Sequence, residues 1–166
     1  MSDVIKASLL SLWLGAALFF SAVVAPAVFG VVRQFNLANA NEIAGSIVTH
    51  TLSVINISGF LIGLLLLAVT LLFNRSRKQA FLLQTLALAV LTVSTALGQW
   101  VVAARMLALR LAMATPIDRV PVNDPRRIAF NRLHGYSVAL LSAAMLAAII
   151  AIVFAGRRPV TALNRS

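Results

Sequence analysis

Few side chains in this sequence could do chemistry. His50, Gln99, Met106, Arg110 and His134 are the leading candidates among the polar or metal-ligating groups that fall within or beside long apolar runs. Neutral imidazole and thioether suit soft and borderline metals. His50, His134 and Met106 are therefore candidate ligands for haem, chlorin or copper. This is the minor reading, because there are only two histidines and neither stands in a ligand pattern such as HExxH. Without a metal, His50, Gln99, Arg110 and His134 could instead hydrogen-bond a small molecule. Enzyme chemistry has little else to draw on. Cysteine is absent, which excludes disulfides, thiolate metal sites and thiol catalysis. There are only four acidic residues, and no phosphate-binding glycine loop, serine triad or carboxylate pair is present. Asp118 and Asp124 lie in a proline-bearing stretch that favours turn and cap roles. The expectation is a protein that is not an enzyme and carries no resident cofactor.

The elements that position these groups follow from composition. Of 166 residues, 61% are apolar and 11% charged, against roughly 45–50% and about 25% in soluble domains. A soluble fold this small could not bury so much hydrocarbon, so the bilayer is the solvent. The excess of 14 Lys+Arg over 4 Asp+Glu does not indicate nucleic acid. The basic residues flank apolar runs, where membrane topology favours them.

Four uncharged stretches stand out, Ala7 to Val32, Ile43 to Asn74, Gln79 to Ala104 and Leu133 to Gly156. Each exceeds the roughly 20 residues a helix needs to cross the hydrocarbon core. The chemistry of the bilayer demands helices, since every backbone polar group must be satisfied internally. Pro26 should kink the first span. Ala25-Pro26-Ala27 is not read as a signal cleavage site, because the apolar run continues past it. Asp124-Pro125 reads as a cap followed by proline at the first helical position. The fourth helix then covers about 125–156. The third continues from 79–104 to about 114, before Pro116.

The expected fold class is all-α, a polytopic four-transmembrane-helix bundle in a single domain. Its spans are about 7–32, 43–73, 79–104 and 125–156, with extensions of helices 3 and 4 on the loop-rich side. Four spans place both termini on one side. Basic residues divide seven against seven, but the Arg75, Arg77, Lys78 cluster and Arg157-Arg158 favour cytoplasmic termini. Twelve arginines against two lysines point to a GC-rich bacterium and its inner membrane.

Topology alone puts His50, Gln99 and His134 at comparable depth on the loop-rich side. On the third helix, Thr85, Thr92, Thr95, Gln99, Met106 and Arg110 share one stripe at helical spacing. Arg127, Asn131, His134, Ser137 and Met145 form a looser one on the fourth. If both stripes face inward they make a one-sided polar pocket, with His50 as a third wall. The plainer account is that Thr and Ser bond their own helices, Gln99 and Asn56 bridge helices, and the histidines sit among headgroups. Gly59 and Gly63 form a GxxxG motif that permits close helix approach, with Asn56 on the same face. Ala17, Ser21 and Ala25 repeat small residues on helix one. Trp13 and Trp100 suit either interfacial anchoring or packing.

Two blocks resemble a known family. Leu12-Trp13-Leu14-Gly15 with Phe19-Phe20, Val23-Val24-Ala25-Pro26 and Phe29 is similar to the first-helix signature of the transmembrane protein 205-like family, a domain of unknown function. Asp124-Pro125, Phe130-Asn131-Arg132-Leu133-His134-Gly135 and Ser137 resemble its last-helix signature. The chain departs from that pattern at Leu141 and Ala103, where the family often carries asparagine and proline. The resemblance implies a four-helix integral membrane protein and brings no activity with it. The expected function is an accessory or scaffold subunit that packs against a larger respiratory, photosynthetic or transport complex, with membrane lipid and other membrane protein subunits as partners. The alternative is a binder or transporter of a small molecule, metal, haem or chlorin.

Overall fold

The computed structural model describes residues 3–73 and 78–155. Residues 74–77 and 156–166, including Arg75, Arg77, Arg157 and Arg158 of the orientation argument, lie outside the described residues.

Four helices are long and apolar enough to cross a membrane. The first, α1, covers Asp3–Gln34. It is α-helical over Asp3–Phe19, makes a π turn at Phe20–Val24, and is α-helical again over Ala25–Gln34. In the π turn the Ala25 N–H bonds the Phe20 carbonyl, an i→i−5 bond instead of the usual i→i−4. Pro26 follows at the head of the next segment, so its missing N–H falls beside a ladder already interrupted. Asn36, at φ 51°, stops the helix in the left-handed region that asparagine tolerates. The second helix, α2, is Ala40–Phe73, 34 residues. That is about 50 Å at 1.5 Å per residue, so it stands clear of a ~30 Å hydrocarbon core.

The third helix, α3, begins at Lys78, makes a second π turn at Leu97–Val102, and ends at Met113. A short 3₁₀ turn, Ile117–Arg119, precedes α4 at Pro125–Ala155. The Asp124 carboxylate caps α4 by accepting the Arg126 backbone N–H at 2.7 Å. The Arg126 side chain and its N–H hold that carboxyl down to about 2. The α1, α2 and α3 helices start earlier than the uncharged runs because helical hydrogen bonding continues over Asp3, Lys6 and Glu42. Lys6 is buried, with Asp3 at 3.8 Å.

The core is drawn from all four helices. Leu10, Trp13, Ala17 and Phe20 come from α1 at helical spacing, Ile55 and Leu66 from α2, Leu88 and Leu91 from α3, and Leu141, Ala144, Ala148 and Ala151 from α4. The alanine stripe lets α4 approach α1 and α3 closely, as small residues do between membrane helices. Outward, large apolar side chains such as Leu12, Leu86 and Leu146 are exposed at 60–75%, which suits lipid and not water. The chain is a multi-pass membrane protein. Before its π turn α1 packs mainly on α4 and also on α2; beyond it, α1 packs on α2.

Candidate functional site

The loop-rich end of the bundle is built around Arg110. Its Nε lies 3.3 Å from Glu42 Oε1, its Nη1 donates to Ser46 Oγ at 3.1 Å, and its guanidinium stands 5.6 Å from the Phe130 ring centroid. Glycine at position 45 makes room, since a β-carbon there would lie 3.1 Å from Arg110 Nη2. The second Glu42 oxygen accepts the Ile117 N–H at 3.3 Å. One carboxylate thus holds both the arginine of α3 and the segment that links α3 to α4.

That segment is fastened elsewhere too. Asn41 Nδ2 donates to Asp118 Oδ1 at 2.5 Å, and Arg33 Nε donates to Asn41 Oδ1 at 3.1 Å. Arg126 reaches the Ala112 carbonyl at 2.8 Å, and Arg127 reaches that of Val120. Met113 and Val120 are buried beneath these polar ties.

Directly below Arg110 lies a cavity of about 80 Å³. From α2 its wall takes Thr49, Ser53 and Asn56; from α3, Gln99, Met106 and Arg110; from α4, Phe130, His134 and Ser137. Gln99 sits inside the π turn, and its Oε1 is buried with no hydrogen-bond partner. Widened turns of this kind often mark functional positions. Gly98 admits the Asn56 amide beside it, at 3.2 Å from where a β-carbon would stand. A second cavity of about 280 Å³ opens between the outer half of α1, α2 and α4, and shares Val48, Leu52, His134 and Ser137 with the first.

The structure therefore brings Gln99, Met106, Arg110, His134 and Asn56 onto one wall system. It does not bring His50, which is exposed and lines neither cavity. The third wall is Thr49 and Ser53 instead, because one residue step turns a helix by about 100°. His50, His134 and Met106 consequently do not converge as metal ligands. Among the described residues no group of three or more His, Asp or Glu could hold a metal ion.

Two of the α3 threonines bond their own helix. Thr92 and Thr95 bond the Leu88 and Leu91 carbonyls at 2.8 Å. The Thr85 Oγ1 is buried without a partner. Gly59 and Gly63 face inward, where β-carbons would meet Trp13 at 2.7 Å and Leu91 and Thr92 at 2.5 Å. Trp13 is buried, whereas Trp100 is exposed and packs edge-on against Phe60 at 4.9 Å.

Sequence reasoning passed over Glu42, Ser46, Thr49, Ser53 and Phe130. The signal was present, since Glu42, Ser46, Thr49, Ser53 and Asn56 advance by alternating steps of four and three, the spacing of one helix face.

Residues 8–115, well over half of the 166-residue chain, match the model of a family described as a domain of unknown function (DUF4149). The matched region holds Gln99 and Arg110 and stops before the Asp124-Pro125 cap and His134. No curated protein and no solved structure matches the chain.

Proposed function

Because this chain belongs to the DUF4149 family, whose function is unknown, we propose a role from geometry: a non-enzymatic membrane protein that binds a small hydrogen-bonding molecule in the one-sided cavity. The observation that carries this is Gln99, which lines the cavity and whose Oε1 is buried without a donor. A buried acceptor left open costs about 1–3 kcal/mol, a penalty that a ligand donor would remove. Kinship with transmembrane protein 205-like proteins belongs to the same proposal and is supported by the two signature blocks. So does residence in a bacterial inner membrane with cytoplasmic termini, supported by the arginine bias and the basic loop. The test is to purify the protein in mild detergent, extract it with organic solvent and identify small molecules by mass spectrometry. A stoichiometric molecule retained by the parent and lost from Gln99→Leu is expected; identical extracts from the two proteins would refute the reading.

A second reading, an accessory or scaffold subunit of a larger membrane complex, is favoured by one feature. Leu83, Leu86, Val90, Leu146 and Ile150 border a wholly apolar groove of about 320 Å³ between α3 and α4, floored by alanines. A groove floored by small residues suits a neighbouring helix, which packs closely on such residues in a membrane. The chain has no cysteine, so Leu86→Cys gives a single thiol for crosslinking in membranes. A reproducible protein adduct supports this reading, and its absence counts against it.

A further inference from the structure

The two cavities that meet at His134 and Ser137 are both mainly apolar, and what sets the first apart is the open Gln99 acceptor on its wall. The first sets Gln99, Asn56, Ser53 and Arg110 among Leu52, Met106 and Phe130. The second is walled chiefly by Phe20, Phe29, Leu52, Val138, Leu141 and Met145, with Pro26 and Val138 at its exposed rim. Its origin lies in the first helix. Up to Phe19 that helix packs mainly on α4 and also touches α2; after the π turn and Pro26 it packs on α2. The outer half of α1 is thereby separated from α4, and the gap is the second cavity, open sideways between two lipid-facing helices.

Resting on the binding function proposed above, we infer that the ligand is a single-chain amphiphile taken laterally from the bilayer, with an uncharged hydroxyl-bearing head beside Gln99 and its hydrocarbon chain under Pro26. The head must supply a donor to Gln99 Oε1. It must also be small, because the cavity beside Gln99 measures only about 80 Å³, well under the ~300–1,000 Å³ of ordinary ligand pockets. That excludes sugar and nucleotide heads. It carries no charge, because the Glu42 carboxylate at 3.3 Å already balances the one arginine on the cavity wall; the Arg110 Nε–H, buried without a hydrogen-bond partner, calls for an acceptor, which a hydroxyl oxygen supplies. The chain half occupies about 280 Å³, near the lower end of the ~300–1,000 Å³ of ligand pockets. His134 and Ser137, shared by both cavities, stand where head and chain join.

The test measures binding of monooleoylglycerol, oleate and free glycerol to purified full-length protein by native mass spectrometry. Variants are Gln99→Leu, which removes the open acceptor, and Val138→Trp, which fills the rim from an exposed position. Equal melting temperatures of parent and Val138→Trp establish that the latter folds. Monooleoylglycerol is expected to bind at least about tenfold more tightly than glycerol or oleate, and to weaken by about tenfold or more in each variant. If glycerol binds as well as monooleoylglycerol and Gln99→Leu abolishes both, the chain assignment falls while the binding function stands. Tighter oleate overturns the uncharged head. If none of the three binds and a native small molecule is still lost from Gln99→Leu, the ligand class is wrong; if that loss is also absent, both readings fail.

Discussion

The indole of Trp13 fills the notch left by Gly59. A β-carbon at Gly59 would lie 2.7 Å from the ring, and the ring Nε1–H donates to the Ile55 carbonyl at 2.9 Å, one turn earlier on α2. Small residues here join two helices of one chain, and the GxxxG face is spent inside the bundle. Gly59→Ala gains about 1 kcal/mol of helix propensity but forces a rigid indole to move, at about 1–3 kcal/mol for overpacking plus the indole hydrogen bond. The expected result is a lower melting temperature in detergent. Gly15→Ala, whose added carbon meets nothing within 4 Å, should melt at or above the parent. Equal melting of Gly59→Ala and the parent would contradict the packing described.

Gln99→Leu removes an acceptor that has no donor in the folded protein. Thermal stability of the ligand-free protein should hold or rise, by up to the ~1–3 kcal/mol that an unsatisfied buried group costs. A marked loss of stability would mean that Gln99 holds the helices together instead of serving the cavity.

Glu42→Gln takes the counter-charge from Arg110 and weakens the acceptor for the Ile117 N–H. The pair is about one-fifth exposed on each side. The expected loss therefore falls between the ~0.2–1 kcal/mol of exposed pairs and the ~3–5 kcal/mol of breaking a buried one. Hydrogen exchange should quicken at Ile117 and its neighbours, and remain unchanged around Leu66 and Leu91. Uniform quickening across the chain would argue against a local tie.

The α4 cap titrates. Arg126 and its backbone N–H hold the Asp124 carboxyl at about 2, below the ~3.9 of an unfolded aspartate. The stabilisation is therefore complete above pH ~4, shrinks as pH falls, and is gone below about 2. Carbon NMR of the Asp124 carboxyl in micelles should show a midpoint near 2 in the parent, moving toward 3.9 in Arg126→Gln. A parent midpoint already at 3.9 would remove the cap from the account.

Much of this was readable from residue types. Hydrocarbon content marks four spans without any geometry, and Asp124-Pro125 marks the start of α4 because a cap and a proline leave few other options. That Gln99 and His134 share one depth follows from counting crossings alone. His50 illustrates where residue type misleads. It is the most reactive side chain near the start of α2, yet the face that turns inward is carried by the unremarkable sequence Glu42, Ser46, Thr49, Ser53, Asn56. Glu42 served as the boundary of an uncharged run, which concealed it as the partner of Arg110. The two π turns and the second cavity have no signature in residue types, because they depend on hydrogen-bond register and on which neighbour each half of α1 prefers.

The ties from Asn41, Glu42 and Arg127 to the stretch between Met113 and Asp124 bear on how the sidedness of this protein is mapped. Proteases need several residues of slack chain to enter their active sites, and this connector has its backbone bonded and Val120 tucked away. Trypsin should spare Arg119 even when that surface faces the bulk solution. An uncut loop would then be misread as shielded by the opposite compartment, so small thiol reagents on single cysteines placed at exposed Val122 are the safer reporters of which way the molecule sits.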